Sequence, residues 1–138
     1  YYQHLLGASE GSGSKRDGYI VYLVPKPSGS DYAHVSLEWD APDASGATAD
    51  GDLPPLGVYA HYMGTFDGTR AHLYIDGTEK APSDPRVGAP SPRSAPFVVA
   101  SDHGGGSYFA GSVDELAVYD RALGLADAIR HRDIGRGK

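Results

Sequence analysis

The sequence predicts an all-β protein, an antiparallel β-sandwich with one short C-terminal helix. Three observations predict it. Short apolar or alternating runs recur along the chain, separated by Gly- and Pro-rich breaks, with 19 Gly and 10 Pro in 138 residues. The aromatic residues are mostly Tyr, 10 against 3 Phe and 1 Trp, and Tyr suits strands with one dry and one wet side. Only near the C-terminus does the apolar spacing become that of a helix.

The elements follow in order. "HLLGAS" (4–9) reads as a short apolar strand and "SEGSGSKRDG" (9–18) as a polar, Gly-rich loop. "YIVYLVP" (19–25) is a β-branched and aromatic strand stopped by Pro25 and Pro27. In "DYAHVSLEWD" (31–40), Ala33, Val35, Leu37 and Trp39 form one face and Tyr32, His34, Ser36 and Glu38 the other, the mark of a strand with one buried side. "APDASGATADGDLPP" (41–55) reads as a long loop.

"VYAHYMGTF" (58–66) and "AHLYI" (71–75) are strands joined at Asp67-Gly68. Asp-Gly favours a two-residue type I′ turn, which would set Phe66 against Thr69, Tyr62 against Leu73 and Ala60 against Ile75. Val58, Ala60, Tyr62, Phe66, Leu73 and Ile75 then share an apolar face. Asp76-Gly77 makes the next turn and "TEKA" (78–81) returns, giving a three-strand meander. The Pro-rich stretch 82–96 is expected to be an extended surface loop. "FVVAS" (97–101), "SYFAG" (107–111) and "VDELAVYD" (113–120) read as further strands, about nine in all. A helix is expected over about 125–132, with Gly124 at the N-cap, Asp127 at the carboxylate position of a capping box, and Leu125, Ala128 and Ile129 on its buried side.

Composition narrows the function. A chain of 138 residues is one domain by default, able to bury roughly 68% of its unfolded surface. A net charge of -6 and a pI near 5.3 argue against nucleic acid, whose binding is driven by Lys and Arg, and against anionic membrane surfaces. No apolar run approaches the roughly 20 residues that span a bilayer, so membrane insertion is not expected. No signal peptide is recognisable in the chain. The absence of Cys removes disulfides, thiolate zinc sites and a Cys nucleophile.

Two stretches carry a resemblance. "GVYAHYMGTFDGTRAHLYIDGTEKA" and "GSYFAGSVDELAVYDRALGLADAI" resemble laminin-G-like members of the concanavalin A-like lectin/glucanase superfamily. That family carries W-x-H-V-A-x-T-[FY]-D-G followed by L-Y-[VI]-D-G, then [YF]-F-x-G-x-[IV]-D-E-[VL]-x-[IV]-Y-x-R-A-L and a helix. His61, Thr65, Phe66, Asp67, Gly68, Leu73, Tyr74, Ile75, Asp76 and Gly77 match the first part. Tyr108, Phe109, Gly111, Val113, Asp114, Glu115, Leu116, Val118, Tyr119, Arg121, Ala122 and Leu123 match the second. The resemblance is strong over residues 57–131 and weak before. Tyr59 stands in place of the usual Trp, Met63 in place of Ala, and Gly124 in place of the capping Ser.

The resemblance implies a jelly-roll β-sandwich. The family's first two strands have no counterpart that the sequence shows, so residues 1–138 are expected to be a laminin-G-like domain lacking them. Such a sandwich would leave an open edge, expected near residues 1–8 or 19–25 and covered by another chain or by a preceding segment. The resemblance also implies a secreted or cell-surface binding or adhesion module, part of a larger protein, that recognises a glycan or a surface protein. A fragment of a glycoside hydrolase or polysaccharide lyase, and a structural spacer, stay open as alternatives.

Four constellations bear on chemistry. "GASEG" (7–11) fits G-x-S-x-G and "HGGG" (103–106) fits an oxyanion motif, but the elbow Ser9 needs a strand before it and a helix after it, and "SGSKRDG" is no helix. His61 and His72 could be diagonal neighbours across the hairpin and share a metal, or simply pack against Tyr74 and Met63. Asp114 and Glu115 are adjacent, and strand neighbours point to opposite faces, so they do not form a glycosidase pair unless a bulge intervenes. The absence of a catalytic set makes the expectation a non-enzyme. Asp114 is also the candidate for the calcium ion that laminin-G-like domains often bind; its other role would be to accept turn amides.

Sugar sites pair a flat aromatic ring with a few polar groups. The candidate ligand residues are therefore Asp102, His103, Ser107 and Tyr108, at the Gly-rich loop on the sandwich rim. Trp39 alternates with Val35 and Leu37 and is assigned to the core. Asp40, Asp43, Asp50 and Asp52 do not match a calcium-loop pattern and are read as solvated.

Overall fold

The computed structural model describes residues 3–12, 15–25, 33–40, 47–55, 57–80, 85, 96–102 and 104–137. Among them the order is β1 (Gln3–Ser12), β2 (Lys15–Pro25), β3 (Ala33–Asp40), β4 (Ala47–Asp52), β5 (Tyr62–Phe66), β6 (Ala71–Ile75), β7 (Thr78–Glu79), β8 (Val98–Val99) and α1 (Leu125–Gly135). One sheet has five strands in the order β4-β3-β2-β1-β8, and the other has three in the order β5-β6-β7. Every pairing is antiparallel. The architecture is the all-β sandwich with one C-terminal helix that the sequence predicts.

The core lies where β6 crosses the larger sheet. Leu5 of β1, Val21 of β2, Ala47 and Ala49 of β4, and Ala71, Leu73 and Ile75 of β6 are buried together, with Tyr62, Phe66 and Phe109 packed around them. Leu73 is completely enclosed, at 0% exposure. The other face of β6 is covered too. Tyr74 is buried with Met63, Leu123 and Ala128, which places α1 and the segment before it over the outside of the smaller sheet.

Several elements differ from the expectation. The polar stretch 9–18 is not a loop for most of its length. It continues β1 and opens β2, with Ser9 opposite Gly18 and Glu10 opposite Asp17. Gly7 lets the two strands close, because a Cβ there would meet the Tyr19 carbonyl oxygen at 2.7 Å. The expected loop 41–55 contains β4, which pairs with β3 from His34↔Asp52 to Trp39↔Ala47. Its small residues hid it from propensity. They are there because the sheets approach closely: a Cβ on Gly51 would lie 3.0 Å from Ile75 Cδ1 and 2.5 Å from Lys80 Cγ.

The register of β5 and β6 also differs. Tyr62 faces Ile75, Gly64 faces Leu73 and Phe66 faces Ala71. The loop is therefore Asp67–Arg70, not a two-residue type I′ turn. The Asp67 carboxylate explains it, since Oδ1 accepts the amides of Thr69 and Arg70, both at 2.7 Å, and holds a wider turn. A shift of two positions preserves which side chains face inward, so Tyr62, Phe66, Leu73 and Ile75 still share the core face. Val58, expected there, is 65% exposed. The second Asp-Gly pair does form a two-residue turn, with Asp76 and Gly77 both at positive φ, 51° and 71°.

The stretches 97–101, 107–111 and 113–120 were expected as strands. Only Val98–Val99 is one, paired with Gly7 and Leu6. Single backbone bonds hold parts of the first two stretches, from Phe109 N to Ala100 O at 2.9 Å and from His4 N to Ser107 O at 2.8 Å. Residues 111–122 are exposed throughout. With no neighbouring strand among the described residues, a β-forming sequence has nothing to complete its ladder.

The open edge was expected near 1–8 or 19–25. Among the described residues β1 lies between β2 and β8, and β2 lies between β1 and β3, so the outermost described strands are β4, β8, β5 and β7.

Helix α1 runs three residues past its expected end. Gly124 N donates to Asp127 Oδ2 at 3.2 Å, as the capping box requires. Of the three residues expected on its buried side, Ala128 is enclosed, while Leu125 and Ile129 are 46% and 37% exposed. The helix is held at its other end by arginines.

Candidate functional site

The rim loop 102–108 is built around one carboxylate. Asp102 N donates to Gly106 O at 2.9 Å, Gly105 N donates to Asp102 O at 3.1 Å, and Gly106 N donates to Asp102 Oδ1 at 2.6 Å. That last bond, with smaller help from the Ser107 hydroxyl, His4 and the Gly104 amide, holds the Asp102 carboxyl below the ordinary carboxylate range. Gly105 adopts φ 75° and Ser107 φ 48°, so the chain turns sharply twice and delivers Tyr108 outward. The Tyr108 ring is 68% exposed, and its hydroxyl lies 3.9 Å from where a Gly105 Cβ would sit.

The structure thus brings Asp102, Ser107 and Tyr108 onto one loop. Asp102 is the loop's internal acceptor, and Tyr108 is its free aromatic surface. His103 lies outside the described residues.

The other candidates are not brought together. Ser9 is inside the β1–β2 hairpin, paired with Gly18, and no helix follows it. That removes the nucleophile elbow. His61 and His72 are not diagonal neighbours: His72 faces Thr65, and His61 lies at the far end of the pair, opposite Asp76. The side chain of Trp39 lies outside the described residues; its backbone pairs with Tyr19 and Ala47.

Glu115 has φ 53°, so the chain kinks between Asp114 and Glu115, where strict alternation had been expected. Both side chains are exposed. Asp114 Oδ1 accepts the Glu115 amide at 2.9 Å, which is the turn-acceptor role. Calcium needs six to eight oxygens. Among the described residues no group of three or more His, Asp or Glu side chains is placed to hold a metal ion.

Two clusters, whose histidines the sequence analysis noted but whose charged partners it did not, stand out among the described residues. The first is His72 between two carboxylates. Its Nδ1 is 2.7 Å from Glu79 Oε1 and its Nε2 is 3.1 Å from Asp67 Oδ2, with Tyr74 stacked beside it at 6.4 Å. Burial pulls the imidazole pKa down, but the bonds to Glu79 and Asp67 outweigh it and leave it raised. Asp67, held by the Arg70 amide, the His72 ring and the Thr69 amide, is lowered to about 2. The alternation of β6 puts His72 and Tyr74 on one side, but Glu79 enters only through the Asp76-Gly77 turn.

The second cluster is the seat of α1 on that turn. Asp76 Oδ1 accepts from His61 N at 3.0 Å and from Arg136 Nη2 at 2.8 Å, and the Asp76 carbonyl accepts from Arg132 Nη1 at 3.0 Å. His131 meets the His61 ring edge-on at 6.2 Å and Tyr119 at 5.5 Å. A period of 3.6 aligns Arg132 and Arg136 on one side of α1, but no local sequence signal pairs them with a turn so far back in the chain.

No described helix is long and apolar enough to cross a membrane. Comparison with known proteins bears on the family. No curated protein matches the sequence. Among solved structures the chain is similar to an S-layer domain-containing protein (residues 221–444) from Clostridium thermocellum, with 16% identity and a TM-score of 0.49. The match covers 91% of this chain and 63% of that one, so this chain spans less than two thirds of that structure. The family model of the concanavalin A-like lectin/glucanase superfamily, in its laminin-G form, matches residues 2–128, which includes the first half where the motifs are weak. On that match the chain belongs to the concanavalin A-like lectin/glucanase superfamily, as a laminin-G-like domain.

Proposed function

We propose that the chain is a non-catalytic recognition module, acting outside the cell as part of a larger protein, that binds a glycan or a surface protein at its rim loop. The observation that carries this reading is Tyr108: an aromatic ring 68% exposed on a loop whose backbone is pinned by Asp102. A rigidly presented aromatic ring offers a flat apolar surface at little entropic cost, with Ser107 and loop amides beside it for polar contacts. The non-catalytic part rests on the residues. The one adjacent acid pair, Asp114 and Glu115, sits on an exposed kinked segment, and Ser9 is in a hairpin without a helix behind it.

Glycan-array screening of the domain, followed by calorimetry on any hit, tests the reading. Tyr108→Ala should abolish binding while leaving the melting temperature unchanged. Equal binding by the variant would move the site elsewhere. Silence toward all glycans and surface-protein extracts from a fully folded domain would favour a spacer role. Release of reducing ends from a polysaccharide would replace the proposal with an enzyme.

A further inference from the structure

The seat of α1 concentrates charge around one carboxylate. Asp76 already serves the guanidinium groups of Arg132 and Arg136 through its carbonyl and carboxylate, at 3.0 and 2.8 Å. Arg132 is shared with Asp133, at 2.7 Å. Two imidazoles lie in the same place, His61 from the stretch leading into β5 and His131 from α1, with centroids 6.2 Å apart. Among the described residues the charged and titratable groups that act on His61 are Asp76 from the β6–β7 turn, and His131, Arg132 and Arg136 from α1, with Asp133 paired to Arg132. Tyr119, from the segment before the helix, faces His131.

His61 Nδ1 is enclosed and has no hydrogen-bond partner. A neutral imidazole tolerates this, because one of its nitrogens is an acceptor without a proton. An imidazolium does not, since both nitrogens then carry protons and one N–H would be buried unpaired beside cations.

We propose that α1 is an acid-released latch: it is seated on the Asp76-Gly77 turn while His61 is neutral, and it lets go when His61 is protonated. Protonation of His61 would bury an unpaired N–H and set a third positive group beside Arg132 and Arg136, against the Asp76 carboxylate. Arg132 packs directly on Gly77, at φ 71°, where a Cβ would lie 2.7 Å from its Nη1. Burial and the neighbouring His131 push the His61 pKa below its ordinary value, with Asp76 opposing and Arg132 and Arg136 adding, so the release belongs to mildly acid conditions, below neutrality. Release would uncover Met63, Tyr74 and Leu123, which Ala128 covers in the seated state.

Amide hydrogen exchange, corrected for intrinsic rates, tests this between pH 7.5 and 5. In the wild-type domain residues 125–135 should lose protection on the order of tenfold relative to β6. The His61→Gln/His131→Gln double variant should keep its helix protection over the same range. His61→Gln alone reports the same effect should the double variant fail to fold. Constant protection of α1 in the wild type overturns the proposal, and so does an equal acid loss in the folded variant.

Discussion

His72 shows at the scale of one residue how a carboxylate–imidazole–carboxylate clamp sets a pH dependence. Its pKa is raised in the fold, so its contribution is fully present below the unfolded value of about 6.5 and is lost as pH rises through the folded value. Asp67 has the opposite dependence. Its carboxyl is lowered to about 2, so its contribution is present above the unfolded value and is lost as pH falls toward 2. Asp67→Ala removes the acceptor of two loop amides and one partner of His72 at once. The group is exposed, so the expected loss is only about 1 kcal/mol. By NMR, the His72 titration midpoint should lie above 6.5 in the wild type and fall in Asp67→Asn or Glu79→Gln. A midpoint that ignores both variants would mean that the clamp is not formed in solution.

Asp114 carries a second residue-scale prediction. As acceptor of the Glu115 amide, its replacement by Ala should cost about 0.5–1 kcal/mol. That cost should be the same with calcium and with EDTA. A melting temperature that falls in EDTA and returns with calcium, only when Asp114 is present, would show that ligands beyond its described neighbours complete a metal site there.

At the scale of elements, the Asp67–Arg70 loop separates what local sequence determines from what it does not. Gly68 sits at φ 96° with open space where a Cβ would lie. The obstacle to a side chain there is the backbone and not a clash. Gly68→Val should therefore cost on the order of 1–2 kcal/mol, read as a lower denaturation midpoint at unchanged slope. An unaltered midpoint would show that the loop relaxes to negative φ at no cost. The same Asp-Gly dipeptide gives a wide loop at Asp67 and a two-residue turn at Asp76. The dipeptide supplies the permitted φ in both; the difference comes from which amides the Asp carboxylate accepts, and Asp76 spends its own on His61 and Arg136.

The same distinction explains what could be read in advance. β2, β3 and β6 carry β-branched and aromatic residues and were legible by pattern. β4 is built from Ala, Thr, Asp and Gly, and only its Ala47-Thr48-Ala49-Asp50 alternation of buried and exposed positions hints at a strand. The rim residues Asp102, Ser107 and Tyr108 were legible because a Gly-rich loop beside an aromatic is a local signal. The clamp on His72 and the seat on Asp76 were not, because each depends on a turn or a docked helix that brings distant charges together.

For the whole molecule, the unequal sheets decide where stability resides. Among the described residues five strands on one side face three on the other, and the enclosed apolar residues gather under β6. Meanwhile Val113, Leu116, Val118 and Tyr119 are 43–66% exposed on a segment with a strand-like sequence. Leu73→Ala, at the centre of the core, should therefore cost about 2–5 kcal/mol, a large part of a domain's total of about 5–15. Val118→Ala, with 66% of its residue surface already in water, should cost no more than about 0.5 kcal/mol. Chemical denaturation of both variants at several protein concentrations gives the comparison. A small and concentration-independent cost at Val118 means that the segment lies free in solution as it does in the structure. A cost approaching that of Leu73 means that the row is buried in solution. If that cost also grows with protein concentration, the cover is a second chain, because mass action links folding to association. The expectation that another polypeptide completes this sandwich would then hold, with its contact at residues 113–119 and not at the first strands.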